Sequence, residues 1–230
     1  MYNQSLTVFF PCYNEESSLE RVVKKATDFL NATIPDFEII IVDDGSVDLT
    51  GWIADSLARK NSWIKVIHHA KNKGYGAALQ SGFRNATKDL VFYTDGDGQF
   101  DITELNKLMD LIEKHEIVTG YRLKRRDPLI RKVNAALWNI LVTVVFGLRL
   151  HDINCAFKLF KREIFDGIEL KSNGAFINAE IFARAKNKGF SIAEVGVNHY
   201  PRISGKQTGA NLKVILRAFK DLWQLKNELR

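Results

Sequence analysis

Runs of apolar, largely β-branched or aromatic residues alternate along this chain with segments in which apolar residues recur every three or four positions. Leu6 to Phe10 reads as a strand, and Leu19, Val22, Val23, Ala26, Phe29 and Leu30 then share one helical face. Phe37 to Val42 is a second strand, and further strands are predicted at Ile64 to His68, Leu90 to Thr94, Ile117 to Gly120 and Ile192 to Val197, with helices between most of them. Strand-helix alternation over the first 95 residues predicts an α/β fold with a mostly parallel central sheet flanked by helices on both faces. The second half is less regular. A long helical pattern from Pro128 to Gly147 reads as an elaboration on the core, and a helix is predicted over Ala175 to Lys186. Near the C-terminus Leu212, Ile215, Leu216, Phe219, Leu222 and Trp223 recur at helical spacing, flanked by Lys213, Arg217 and Lys220. Such a helix either packs on the protein's own core or lies in a membrane surface. Asn134 to Leu148, the longest uncharged stretch, is interrupted by Asn139, Thr143 and Gly147 and falls short of the roughly 20 apolar residues of a spanning helix, so no transmembrane helix is expected. With no internal repeat and no linker composition, one domain over residues 1–230 is expected.

Composition adds a class: 46% apolar and 26% charged residues are those of an ordinary globular protein. The net charge of +6 is unevenly spread, with Arg122, Lys124, Arg125, Arg126, Arg131 and Lys132 in one stretch. That stretch is either a solvated loop or the contact for an anionic partner. The two cysteines, Cys12 and Cys155, have no CxxC or Cys/His spacing, which argues against structural zinc or a disulfide framework and suits a reducing, cytoplasmic side. The polar start, Met1 to Leu6, gives no expectation of a secretory leader.

Ligands of open α/β sheets bind beyond the carboxyl ends of strands, and the chemically distinctive residues fall there. Pro11 to Glu15 follows the first strand, Asp43 to Ser46 the second, and Asp95 to Gln99 the fourth. Asp95 and Asp97 leave an apolar strand at a spacing of two, which aims both carboxylates the same way. Two hard oxygen ligands suit magnesium or manganese, whose open positions diphosphate oxygens fill. A plain turn is the local alternative. An EF-hand is excluded, because Phe100 and Asn106 stand where Gly and Glu are required. Asp101 and Glu104 read as a helix cap. Asp43 and Asp44 can accept hydrogen bonds from a ribose or a base, although Ser46 and Asp48 also suit the cap of the next helix. Lys73 to Ala78 opens a helix with small residues that admit a nucleotide; Leu79 breaks any dinucleotide fingerprint. Asp152 is a sugar-binding or base candidate with a turn role as the alternative, and Glu180 either reaches an acceptor or is a helix-surface carboxylate beside Arg184. None of the five histidines has metal-ligand spacing, and none is assigned to catalysis.

Taken in order, Pro11-Cys12-Tyr13-Asn14-Glu15-Glu16, Val42-Asp43-Asp44-Gly45-Ser46, Asn72-Lys73-Gly74-Tyr75-Gly76-Ala77-Ala78 and Asp95-Gly96-Asp97-Gly98-Gln99 resemble the motifs of family 2 glycosyltransferases. More narrowly they are similar to polyprenyl-phosphate glycosyltransferases typified by dolichyl-phosphate mannosyltransferase. The resemblance continues through Gly120-Tyr121-Arg122, Arg131, Asp152 to Phe157 and Tyr200 to Lys206.

That resemblance implies a GT-A fold, with residues 1–120 holding the nucleotide sugar and 121–230 the acceptor and amphipathic membrane-interface helices. It implies that Pro11, Tyr13, Glu15, Asp44, Gly74 and Asp95 line the nucleotide, and that Asp95, Asp97 and Gln99 surround Mg2+ or Mn2+. Arg122, Arg131 and Arg202 would face the acceptor phosphate. Together with Asp152, a candidate from its own place in the sequence, Asp95, Asp97 and Arg202 form the expected catalytic set. Ala135 stands where such mannosyltransferases commonly carry Ser.

The implied activity is inverting transfer of a hexose from a GDP-mannose or UDP-glucose type donor to a dolichyl or undecaprenyl phosphate. It would take place peripherally on the cytoplasmic face of a membrane and without nucleic acid. Transfer to a saccharide hydroxyl with Asp152 as base, and a non-catalytic nucleotide-sugar sensor, are the alternatives.

Overall fold

The apolar runs become β1 (Leu6–Cys12), β2 (Phe37–Asp43) and β4 (Leu90–Thr94), strands covered on both faces, and β3 (Ile64–His68), which forms a sheet edge and leaves Lys65 and His68 exposed. This computed structural model describes residues 2–123, 129–201 and 212–229; the side chains of residues 129–134 and 212–216 lie outside that description. β5 (Ile117–Leu123), β6 (Phe157–Lys161) and β7 (Ile192–Asn198) complete one seven-stranded sheet in the order β3-β2-β1-β4-β6-β5-β7. The expected parallel pairing holds from β3 through β4 and again between β5 and β7. It fails at β6, which runs antiparallel to both β4 and β5.

Alternation along the strands divides the core in two. Leu6, Val8, Phe10 and Cys12 pack on the face covered by α1 (Leu19–Thr33), α2 (Thr50–Lys60) and α4 (Leu105–Ile112). Phe9, Ile40, Val42, Val91 and Tyr93 face α3 (Tyr75–Asn85), α5 (Leu129–Phe146), the short α6 (Ile164–Gly167), α7 (Ile177–Asn187) and α8 (Leu212–Glu228). α5 ends at Gly147, whose φ of 67° few other residues tolerate and whose N–H donates to Thr143 O at 2.7 Å.

The site follows from the strand order. β1 pairs with β2 on one side and β4 on the other, so the chain reverses its direction of travel across the sheet at β1. The loops leaving these three strands therefore open a crevice at their carboxyl ends.

Candidate active site

The loop after β1 is laced to the loop after β2. Asn14 N–H donates to Ser46 Oγ at 3.0 Å, Val47 N–H returns a bond to Asn14 Oδ1 at 2.9 Å, and Glu15 N–H donates to Thr50 Oγ1 at 2.8 Å. Asp48, one residue before the Leu49 N-cap of α2, accepts from Thr50 N–H at 3.0 Å. Pro11 belongs to β1, and Tyr13 lies exposed at the rim. Ser18 precedes α1 but makes no capping bond. Its hydroxyl lies 2.9 Å from Gly96 O and 3.1 Å from Glu15 Oε2, and can donate to one of them at a time. Glu15 stands close enough to the Asp95–Asp97 turn for its charge to act on Asp95.

Asp97 is buried and accepts from Gln99 N–H at 3.0 Å. Asp95 is half-buried, with the Tyr75 hydroxyl bonded to it. Burial and then the neighbouring Asp97 charge push the Asp95 carboxyl well above the usual carboxylate range. A divalent cation would remove that conflict, so the donor set fits one. Among the described residues no three His, Cys, Asp or Glu side chains are grouped to hold a metal alone. Asp95 and Asp97 would supply protein ligands, and ligand or water oxygens the rest. Gln99 is tied to the segment after β7 by its amide NH2, which donates to Tyr200 O at 2.9 Å, and by Tyr200 N–H, which donates to Gln99 O at 2.8 Å.

Asp44 is buried and holds the turn before α3. It accepts from Lys73 N–H at 2.9 Å and Gly74 N–H at 2.8 Å, and His69 Nδ1 lies 2.6 Å away. His68 sits 3.0 Å from Asp43 on the strand pair's matching register. Adjacent histidines facing opposite ways thus meet adjacent aspartates facing opposite ways. Sequence reasoning passes over this role, although the paired spacing Asp43-Asp44 and His68-His69 is its signal.

On the other side of the crevice Arg122, from β5, clasps Asp152 with both prongs, Nε to Oδ2 at 2.6 Å and Nη2 to Oδ1 at 2.9 Å. A phosphate-facing candidate and a base candidate are therefore partners. Lys158, on β6, is a residue that sequence reasoning missed. It is fully buried, with its ammonium bonded to Cys155 O and 5.5 Å from the Tyr93 ring centre and 5.4 Å from that of Phe182. Burial brings its pKa down to about 8 despite the nearby Asp152 and Asp95 charges. The signal was a lone cation inside Phe157-Lys158-Leu159-Phe160. Glu180 is not the surface carboxylate that its helical position suggested: it is 2% exposed, although it does lie 2.8 Å from Arg184 Nε. Arg202 lies outside the described residues, as does the side chain of Arg131.

The family model for Glycosyl transferase family 2 matches residues 7–168. Three curated relatives extend that match. Glycosyltransferase AglD of Haloferax volcanii is 31% identical over 207 residues, which is 86% of this chain and 33% of the relative. Polyprenol monophosphomannose synthase of Mycolicibacterium smegmatis is 30% identical over 225 residues, 91% of this chain and 83% of the relative. Dodecaprenyl-phosphate galacturonate synthase of Rhizobium johnstonii is 29% identical over 205 residues, 87% and 60% respectively. The chain thus spans a third of the first relative, most of the second and three-fifths of the third. Among solved structures, glucosyl-3-phosphoglycerate synthase of Mycobacterium tuberculosis in complex with Mn2+, uridine diphosphate and phosphoglyceric acid superimposes with a TM-score of 0.76 at 18% identity, covering 97% of this chain and 78% of that one. That likeness speaks for the fold alone.

Proposed function

Because the chain belongs to glycosyl transferase family 2, we propose that it moves a hexose from a nucleotide diphosphate sugar to a polyprenyl phosphate, with inversion at the anomeric carbon. The carrying observation is the Asp95–Asp97 pair, crowded and partly desolvated at the carboxyl end of β4 beside the laced loops of β1 and β2. Polyprenyl-phosphate acceptors are named for two relatives, one of them matched over 91% of this chain.

A bound divalent cation would supply neutralisation of the leaving diphosphate. The protein does the rest by holding reactants in line. Asp44 fixes the turn at Gly74 against which the nucleotide lies, and Arg122, steadied by Asp152, presents its guanidinium toward the acceptor phosphate. An acceptor phosphate oxygen is already anionic. It attacks C1 while the bond from C1 to the diphosphate oxygen breaks, and no proton has to be removed. The saccharide-hydroxyl alternative needs a base, and both Asp152 oxygens are engaged by Arg122.

The enzyme would work peripherally on a membrane. None of the described helices is long and apolar enough to cross one, whereas Leu137, Ile140 and Val144 of α5 and Phe219 and Trp223 of α8 are exposed.

The test uses purified protein, UDP-glucose or GDP-mannose, a short-chain polyprenyl phosphate in detergent, and Mn2+ or Mg2+, with mass spectrometry of the lipid product. Asp97→Ala is expected to lower transfer by about 100-fold or more with unchanged thermal unfolding. Full activity of that variant, or of the wild type in excess chelator, rejects the metal-assisted mechanism. Transfer to saccharide hydroxyls alone rejects the phosphate acceptor.

A further inference from the structure

We propose that Glu180 is a positioning residue for the nucleotide-sugar site, holding the Lys171–Asn173 loop as a brace against the Gly74–Gly76 turn that opens α3. The inference rests on the reading of that turn as part of the nucleotide pocket.

An ionised carboxylate enters a protein interior only when its oxygens are supplied with donors. Glu180 is supplied by a loop that precedes its own helix. Lys171 N–H lies 3.1 and 3.2 Å from its two oxygens, Ser172 N–H donates to Oε2 at 2.8 Å, and Arg184 Nε donates to Oε1 at 2.8 Å. With both oxygens so occupied, Glu180 does not reach toward an acceptor. It bends the loop so that the carbonyls of Ser172 and Asn173 face α3.

Those carbonyls are received without slack. Gly76 N–H donates to Asn173 O at 3.0 Å, and the Gln80 side-chain amide donates to Ser172 O at 3.0 Å. A Cβ on Gly76 would stand 2.3 Å from Ser172 O, and one on Gly74 2.6 Å from Asn173 O. Gly74 has φ +101° and gives its N–H to Asp44. A continuous path of hydrogen bonds thus runs from Glu180 through the 171–173 loop to the turn and on to Asp44. α8 holds the same loop from outside, since Glu228 lies 3.2 Å from Lys171 Nζ and 2.9 Å from Arg184 Nη2, and Asp221 lies 3.3 Å from Ser172 Oγ. The spacing Glu180 to Arg184 is legible as a helical pair, but the loop that the carboxylate captures is not.

Glu180→Gln replaces one acceptor oxygen with an NH2 group that faces donors, so the loop loses its hold. Calorimetric titration of the full chain with UDP and with GDP, each with Mn2+, reads the consequence. Nucleoside diphosphate affinity is expected to fall about tenfold, as one buried donor left unpaired implies. In the transfer assay the donor KM should rise by a similar factor, with kcat at saturating donor and the acceptor KM within about threefold of wild type. Glu180→Asp, which keeps the charge, should recover part of the loss.

A fall in kcat with unchanged nucleotide affinity would make Glu180 a reacting or sugar-binding group and overturn the proposal, as would unchanged affinity with unchanged kcat. If the wild type binds neither nucleotide, the underlying reading of the turn fails instead. Should Glu180→Gln not fold, Gln80→Met, which releases Ser172 O from the opposite side, decides: a several-fold weaker nucleotide affinity supports the brace, and unchanged affinity removes it.

Discussion

At Asp152 two chemistries are separated by what a single carboxylate holds. A general base needs a lone pair aimed at an acceptor hydroxyl, whereas each oxygen here takes one prong of the cationic Arg122 fork, at 2.6 and 2.9 Å, which makes the carboxylate the anchor of that guanidinium. Asp152→Asn keeps the shape and loses the charge that steadies Arg122. It is expected to raise the acceptor KM several-fold and to lower kcat by less than about tenfold, because loss of a base would lower kcat by about 10² to 10⁴. Steady-state kinetics with the acceptor varied separates the two, and a hundredfold fall in kcat would return Asp152 to the role of base. The residue types at Asp95, Asp97 and Asp152 were legible as chemistry from their places after apolar segments. The partners of Asp44 and Asp152 and the loop that Glu180 captures were not, since each is set by which chain segment folds beside it.

Among the elements, α8 shows how far periodicity reaches. Its stripe of apolar residues predicts an amphipathic helix without deciding what covers it. The structure divides the stripe: Leu222 and Leu225 are buried in the core, while Phe219 and Trp223 remain exposed. The Phe219 ring lies 6.1 Å from Trp138 of α5, so the outer faces of the two helices adjoin. Leu137, Ile140 and Val144 extend that apolar surface along α5. The surface suits the interfacial zone of a bilayer, where a polyprenyl phosphate presents its headgroup. Flotation with anionic liposomes at low salt should carry the wild type upward. Phe219→Glu combined with Trp223→Glu should leave the protein in the soluble fraction and preserve its melting temperature, since neither side chain belongs to the buried core. A wild type that stays below the vesicles, or a double variant that floats equally well, excludes this surface as the anchor.

Across the whole molecule, the sheet binds its first half together by polar contacts as well as by its two apolar faces. His68 joins β3 to β2 and α2, with Nδ1 3.0 Å from Asp43 and Nε2 3.0 Å from Asp55. The Asp55 hydrogen bond, helped by Asp43, raises the His68 pKa against the opposing effect of burial. A histidine raised on folding contributes stability that is present in full below its unfolded value of about 6.5 and is lost as pH climbs through the higher folded value. Asp43 shifts the other way: hydrogen bonds from Ser46 and His68 outweigh its burial and lower its pKa, so its contribution is lost only in acid. Differential scanning calorimetry between about pH 6 and pH 9 should therefore show the melting-temperature advantage of wild type over His68→Gln shrinking as pH rises. An advantage that stays constant or grows would mean that protonated His68 is not part of the fold's stability.

Hydrophobic periodicity determined by itself the strands from β1 to β5, the helices among them and the placement of the carboxylate motifs at strand ends, because period and chain polarity are local properties of the sequence. Ordered motifs determined the family as well, since four of them fall in sequence along the first 99 residues. Only the tertiary structure decided that β6 enters antiparallel between β4 and β5, that Lys158 is carried into the core, and that Arg122 closes on Asp152. It alone placed the Glu180 brace behind the Gly74–Gly76 turn. The reason is physical: a buried polar group must find its partner in space, and which segment lies next to it is settled by strand order and packing, to which periodicity along the chain is blind.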